Sequence, residues 1–112
     1  MSSNKYDLTL YQGATFNRTL EIKDSDSNAV DLTDYTFAGQ IRTSAHSGDI
    51  QATFDIQIAN ASTGRVTWKL SSTNSALVPA QQCVYDVEMT QANGDVVRLL
   101  EGFVDVRANV TR

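Results

Sequence analysis

"CVYDVEMTQANGDVVRLLEGFVDV", residues 83–106, decides the fold class. Its first part alternates, with Cys83, Tyr85, Val87 and Met89 on one side and Asp86, Glu88 and Thr90 on the other. Successive strand side chains point to opposite faces, so this spacing predicts a half-buried β-strand. Asn93-Gly94 follows, the strongest short hairpin signal, because both central residues of a type I′ turn need positive φ. The return strand, about Asp95 to Val106, has a mixed phase. Val97 and Leu99 share one parity, and Leu100, Gly102, Val104 and Val106 share the other. A β-bulge near Leu100–Gly102 reconciles the two. Leu99 and Phe103 are then the residues from which this strand could build an exposed apolar patch.

The same period of two recurs outward from this hairpin. "RVTWKLS" sets Val66, Trp68 and Leu70 against Thr67, Lys69 and Ser71. "ATFDIQI" places Phe54, Ile56 and Ile58 on one face of a single strand, and "TFNRTLEI" does the same for Phe16, Leu20 and Ile22. "YDLTLY" at 6–11 and "TFAGQIRT" at 36–43 complete the set, with Phe37 and Ile41 inward. Gly39, inside the latter, marks a bulge or a close approach by another backbone. One short helical turn fits Thr73–Leu77, stopped by Pro79. Seven short antiparallel strands joined by polar turns predict an all-β chain: a single immunoglobulin-like β-sandwich occupying residues 1–112. Residues 1–5 and 107–112 carry no core pattern, which predicts termini that are flexible or ordered by a partner.

Composition narrows the function classes. The chain has 112 residues, 41% hydrophobic and 20% charged, as an ordinary folded domain has. No apolar run reaches the roughly 18 residues of a membrane helix, and "MSSNKYDLTLY" lacks a signal-peptide pattern, so no membrane role and synthesis in a cytoplasm are expected. The net charge is −4 and the nine basic residues are scattered, so no nucleic-acid partner is expected. A single cysteine, Cys83, excludes an internal disulfide and reads as a small buried hydrophobe.

Residues able to support chemistry are few. Asp24, Asp26 and Asn28 match the first ligand positions of an EF-hand loop, but Ala29 replaces the glycine and Tyr35 the bidentate glutamate. The stretch reads instead as a polar turn, since Asp, Ser and Asn bond to their own backbone. His46, the only histidine, lies in a Ser/Gly loop. Asp86 and Glu88 share a strand face about 7 Å apart, as glycosidase carboxylates could, yet an outer polar strand face looks the same. Three Asn-x-Ser/Thr sequons, at Asn17, Asn60 and Asn109, matter only for a secreted eukaryotic protein. No enzyme, cofactor or metal is expected.

"YDLTLYQGATFNRTLEI", "AVDLTDYTFAGQIRTS", "GRVTWKLS" and the closing "CVYDVEMTQANGDVVRLLEGFVDVRANVTR" together resemble small bacteriophage virion proteins. Their order is similar to the N-terminal β-sandwich of phage baseplate upper proteins. Asp34 stands where those proteins often have Gly after "DLT", and Gln81–Gln82 where a Gly usually precedes the "YxYD" strand. The resemblance implies a virion structural module made in the bacterial host cytoplasm, either capsid cement (decoration) protein or tail or baseplate adaptor. Its partners would be major capsid or tail and baseplate subunits and further copies of itself. Interface candidates are Leu99, Phe103, His46 and Pro79, from exposed apolar groups and loops. The alternative is a carbohydrate-binding sandwich, for which Tyr6, Tyr11, Tyr35 and Phe103 are the aromatic platform candidates.

Overall fold

The structure, a computed structural model, describes residues 4–44 and 49–108. Within them the elements are β1 (Asn4–Lys5), β2 (Leu8–Tyr11), β3 (Phe16–Glu21), β4 (Thr36–Arg42), β5 (Ile50–Thr53), β6 (Asp55–Asn60), β7 (Arg65–Leu70), α1 (Ser72–Ser75), β8 (Gln82–Thr90) and β9 (Val96–Arg107). One sheet runs β5-β4-β8-β9, with β1 and β2 both lying along the outer side of β9; the other runs β3-β7-β6. The first strand segments pair with the last in parallel and the remaining pairs are antiparallel. The wholly antiparallel expectation is corrected at that one edge, where the chain enters running the same way as it leaves. The rest is an immunoglobulin-like sandwich, a larger sheet facing a three-stranded one.

Two of the seven expected strands differ in extent. The strand expected at 6–11 begins at Leu8 as β2, and a separate two-residue segment, β1, precedes it across Tyr6–Asp7. The "ATFDIQI" strand divides at Phe54: β5 pairs with β4 in the larger sheet, and β6 pairs with β7 in the smaller one. Alternation continues across Phe54, so a strand that changes sheets keeps a single-strand pattern. The Phe54 N–H donates to the Gly39 carbonyl at 2.9 Å, holding the crossing against β4. A Cβ on Gly39 would meet the Asp86 carbonyl at 3.0 Å, Phe54 at 3.0 Å and Ile56 at 3.1 Å, so the expected close approach of another backbone is there, joined by side chains of the crossing strand. Ile58, expected inside, is 36% exposed near the end of β6, where register shifts before Asn60.

The core is the inner face of both sheets. Cys83, Tyr85, Val87 and Met89 of β8 and Val66, Trp68 and Leu70 of β7 are all buried, as their parity requires. Trp68 lies between the sheets with ring centroids 5.0 Å from Phe16, 5.1 Å from Phe54 and 5.6 Å from Tyr85. After β7, Ser71 caps α1, its hydroxyl accepting from the Asn74 N–H. Buried Ser75 donates to the Ala14 carbonyl, which ties this connection to the turn after β2.

The bulge in β9 falls slightly earlier than expected. Leu100 opposes Val87 and Arg98 opposes Glu88, which leaves Leu99 as the extra residue. A bulge residue shares its partner with its neighbour, so Leu99 leans inward and is only 7% exposed. Leu99 is therefore removed from the interface candidates, whereas Phe103 is 50% exposed. The β8–β9 turn is also revised. Only Gly94 has positive φ, with Gly94 N–H bonded to Gln91 C=O and Gln91 N–H to Asp95 C=O. This is a three-residue loop, a type I turn completed by a left-handed glycine. Asn93 contributes through its side chain, which accepts from Asp95 N–H. Asn4, Lys5 and Arg107 also belong to strands, so the expected loose termini shrink; residues 1–3 and 109–112 lie outside the described residues.

Replacing Trp68 with alanine deletes the ring on which three others pack. The expected loss is about 3–5 kcal/mol, read as a fall in the urea midpoint with little change in slope. An exposed control, Lys69→Ala, is expected to move stability by less than about 0.5 kcal/mol.

Candidate functional site

The outward side chains of the larger sheet form a concavity of about 500 Å³. Strand register arranges them in two neighbouring rows. In one, Gln40 opposes Asp86, Asp86 opposes Glu101, and Glu101 opposes Lys5. In the other, Arg42 opposes Val84 and Val84 opposes Phe103, whose N–H donates to Asp7 Oδ1 at 3.0 Å. Rows on one face lie about 7 Å apart, two residues along each strand. Four segments distant in sequence (β1–β2, β4, β8 and β9) thus contribute one patch.

Asp86 and Glu101 stand directly across from each other, an arrangement of like charges that costs energy unless it is compensated. Arg98 compensates it. Its Nε lies 3.5 Å from Asp86 and its Nη1 3.2 Å from Glu101. The bulge at Leu99, one residue on, lets Arg98 reach back toward the row it would otherwise miss. These side chains are a third to a half exposed, so the pairs orient one another more than they stabilise the fold. Arg42 donates to Gln40 at 2.9 Å.

The wall beside Phe103 is fixed from inside. The hydroxyl of buried Tyr85 donates to the Tyr6 carbonyl at the break between β1 and β2. Opposite, Gly102 leaves room for that carbonyl, since a Cβ there would lie 2.5 Å from Tyr6 O. The freed N–H of Phe103 is taken by the Asp7 carboxylate. Burial, followed by the nearby charge of Asp7, pushes the Tyr85 hydroxyl well above the ordinary tyrosine range. Cys83, buried under the same strand, is likewise raised by burial.

The other sequence candidates are dispersed. The Asp24 carboxylate accepts Asp26 N–H at 2.9 Å and Asn28 N–H at 3.0 Å, so it caps its own turn, in which Ser27 has φ 66°. Asp31 is held below the usual carboxylate range by the Thr33 hydroxyl and then its N–H. Among the described residues no three His, Cys, Asp or Glu side chains gather as a metal would require. Pro79 is half-buried next to Val78, whose carbonyl accepts from Gln12 Nε2. His46 lies outside the described residues. Tyr35 packs on the core, while Tyr6 and Tyr11 are 50% and 56% exposed. Of the sequence candidates among the described residues, only Phe103 and Asp86 reach the concavity; Glu88, paired in sequence with Asp86, does not line it.

The two packed sheets agree with the description of the matching family model, an LtfC-like β-sandwich domain over residues 2–107. The chain belongs to that family. No curated protein matches the sequence. Membership establishes the β-sandwich as the family's unit, and the rows on its larger sheet are features of this chain's own residues.

Two outcomes follow for the wall. Gly102→Ala forces its Cβ into Tyr6 O, and hydrogen exchange should show lost protection across Tyr6–Tyr11 while β7 and β8 stay protected. Above pH 10, where tyrosine in the unfolded chain releases its proton, the folded chain keeps the Tyr85 proton longer and so binds more protons. Stability therefore falls as pH rises from about 10. Tyr85→Phe should cost about 1 kcal/mol at neutral pH and flatten that alkaline decline in chemical denaturation.

Proposed function

We propose that this chain is a non-enzymatic structural module of a bacteriophage particle, serving as capsid cement or as a tail or baseplate adaptor. The observation that carries the reading is the placement of exposed apolar residues on opposite flanks of the sandwich. Tyr6 and Tyr11 mark the flank formed by β1 and β2. Ile50, 48% exposed, and Ile58 mark the flank of β5 and β6. Edge strands with apolar side chains invite partners unless they are covered.

Two different flanks cannot close a two-fold pair with each other. They suit a head-to-tail contact, which generates rings or extended arrays. Weak contacts of that kind gain strength when a particle's symmetry multiplies them. The sequence resemblance to phage virion proteins supports the same reading. Partners are then further copies of the chain and the major capsid or tail subunits beneath them, and its location is the virion assembled in the bacterial host.

Quantitative mass spectrometry of purified particles tests this. The chain should be present in fixed stoichiometry: on the order of hundreds of copies for a capsid coat, dozens or fewer for a tail. Tyr11→Asp and Ile50→Asp should each lower incorporation while leaving the melting transition unchanged. Detection in the lysate but not in washed particles would sink the proposal.

A further inference from the structure

The concavity lies on the outer face of the larger sheet, meets the β1–β2 flank only at Lys5 and Asp7, and calls for its own explanation. We propose that it is a binding site for a neutral saccharide, with Phe103 as the stacking face and the surrounding carboxylates and guanidinium groups as hydroxyl partners. This inference does not rest on the assembly reading, since none of the flank residues Tyr6, Tyr11, Ile50 and Ile58 lines the concavity.

Charge balance selects the ligand class. Lys5, Arg42 and Arg98 supply three positive charges and Asp7, Asp86 and Glu101 three negative ones, so the basin is formally neutral on a chain of net charge −4. A phosphate or other anion would meet carboxylates in either row, and a cation would meet guanidinium groups. A ligand with many hydroxyls and no net charge can use both kinds of partner, the adjacent acceptors Asp86 and Glu101 and the donors Lys5, Arg42 and Arg98 around them. Sugar hydroxyls both give and accept, whereas Asp and Glu only accept and Lys and Arg only donate.

Geometry selects it further. Arg98, held between Asp86 and Glu101, fixes both carboxylates before anything binds, which lowers the ordering cost of recognition. Phe103 is half exposed in a sheet where most large apolar residues point inward, and Val84 beside it extends the apolar floor. An aromatic face of this kind packs against the C–H face of a sugar ring while its hydroxyls reach outward to polar groups. At about 500 Å³ the volume lies within the roughly 300–1,000 Å³ of small-molecule sites.

The test is a titration of the ¹⁵N-labelled chain with neutral mono- and disaccharides of glucose, galactose and N-acetylglucosamine, beside sialic acid and inorganic phosphate. Amide shifts should appear at Val84–Asp86 and Glu101–Phe103 with at least one neutral sugar. Phe103→Ala and Phe103→Leu should both weaken that sugar by roughly tenfold or more, and Tyr11→Ala should leave its affinity unchanged. Phe103 is exposed, so these variants are expected to melt as the parent does, and Phe103→Leu retains apolar bulk if alanine perturbs the strand. The proposal is overturned if no neutral sugar in the panel shifts these amides at millimolar concentration. Equal binding by the Phe103 variants, or tighter binding of sialic acid or phosphate at these amides, overturns it as well.

Discussion

The structure depends on one contact, the packing of Phe16, Phe54 and Tyr85 around Trp68. Phe16 comes from β3, Phe54 from the crossing between sheets and Tyr85 from β8, so the indole joins three parts of the chain that are far apart in sequence. Phe16 and Phe54 meet Trp68 edge-on, both at interplanar angles of 74°, and Tyr85 stacks at 29°. Such pairs add about 0.5–1.5 kcal/mol each beyond the area they bury. The cluster also carries a cost: the indole N–H is buried without an acceptor among the described residues, worth about 1–3 kcal/mol against the fold. Ring packing outweighs it, and with no disulfide available this apolar centre is what holds the two sheets together.

Order passes from that centre to the surface through alternation in β8. Tyr85 is locked by the rings within and by the Tyr6 carbonyl at the edge. Its chain neighbours, Val84 and Asp86, are the middle members of both outward rows. Fixing Tyr85 therefore fixes where the concavity's floor and its central carboxylate stand. The edge strand is fastened by the same residue. Tyr85 draws in the Tyr6 carbonyl, Gly102 makes space for it, and Asp7 takes up the N–H left over on Phe103. A core side chain, a missing side chain and a carboxylate together shape one wall of the basin.

Much of the fold is legible in the sequence, and the failures share a physical cause. β7 and β8 read correctly because one face of each is buried along its whole length, which is the condition under which period two carries full information. The single-strand reading of residues 52–58 fails because alternation reports facing and not partnership. Phe54, Ile56 and Ile58 keep their parity while the chain leaves one sheet for the other. Leu99 is misplaced by one step of the bulge, since a residue sharing a partner with Leu100 no longer obeys parity. Asn93-Gly94 marks the turn correctly, but φ at Asn93 depends on how many residues close the loop. The concavity was out of reach altogether. Asp86 and Phe103 were visible singly, yet Lys5, Gln40 and Arg42 join them only through register across four segments, and register is set by pairing rather than by any local pattern.

Position relative to the edges governs how the two proposed roles combine. A sandwich that packs laterally through Tyr6 and Tyr11 on one flank and Ile50 and Ile58 on the other leaves both broad sheet faces uncovered by its neighbours. The basin lies on the larger of these faces, reaching the β1–β2 edge through Lys5 and Asp7 and ending at β4 on the far side. Most of it therefore remains open in a side-by-side array, while its rim at Asp7 adjoins the flank. Lateral packing would then order the edge segments β1 and β2, and with them the wall behind Phe103. In such an array each copy presents an identical shallow site, and repetition compensates for the low affinity a solvent-open sugar site has. The two roles are linked at Tyr6–Asp7, the strand break that belongs to both the flank and the basin.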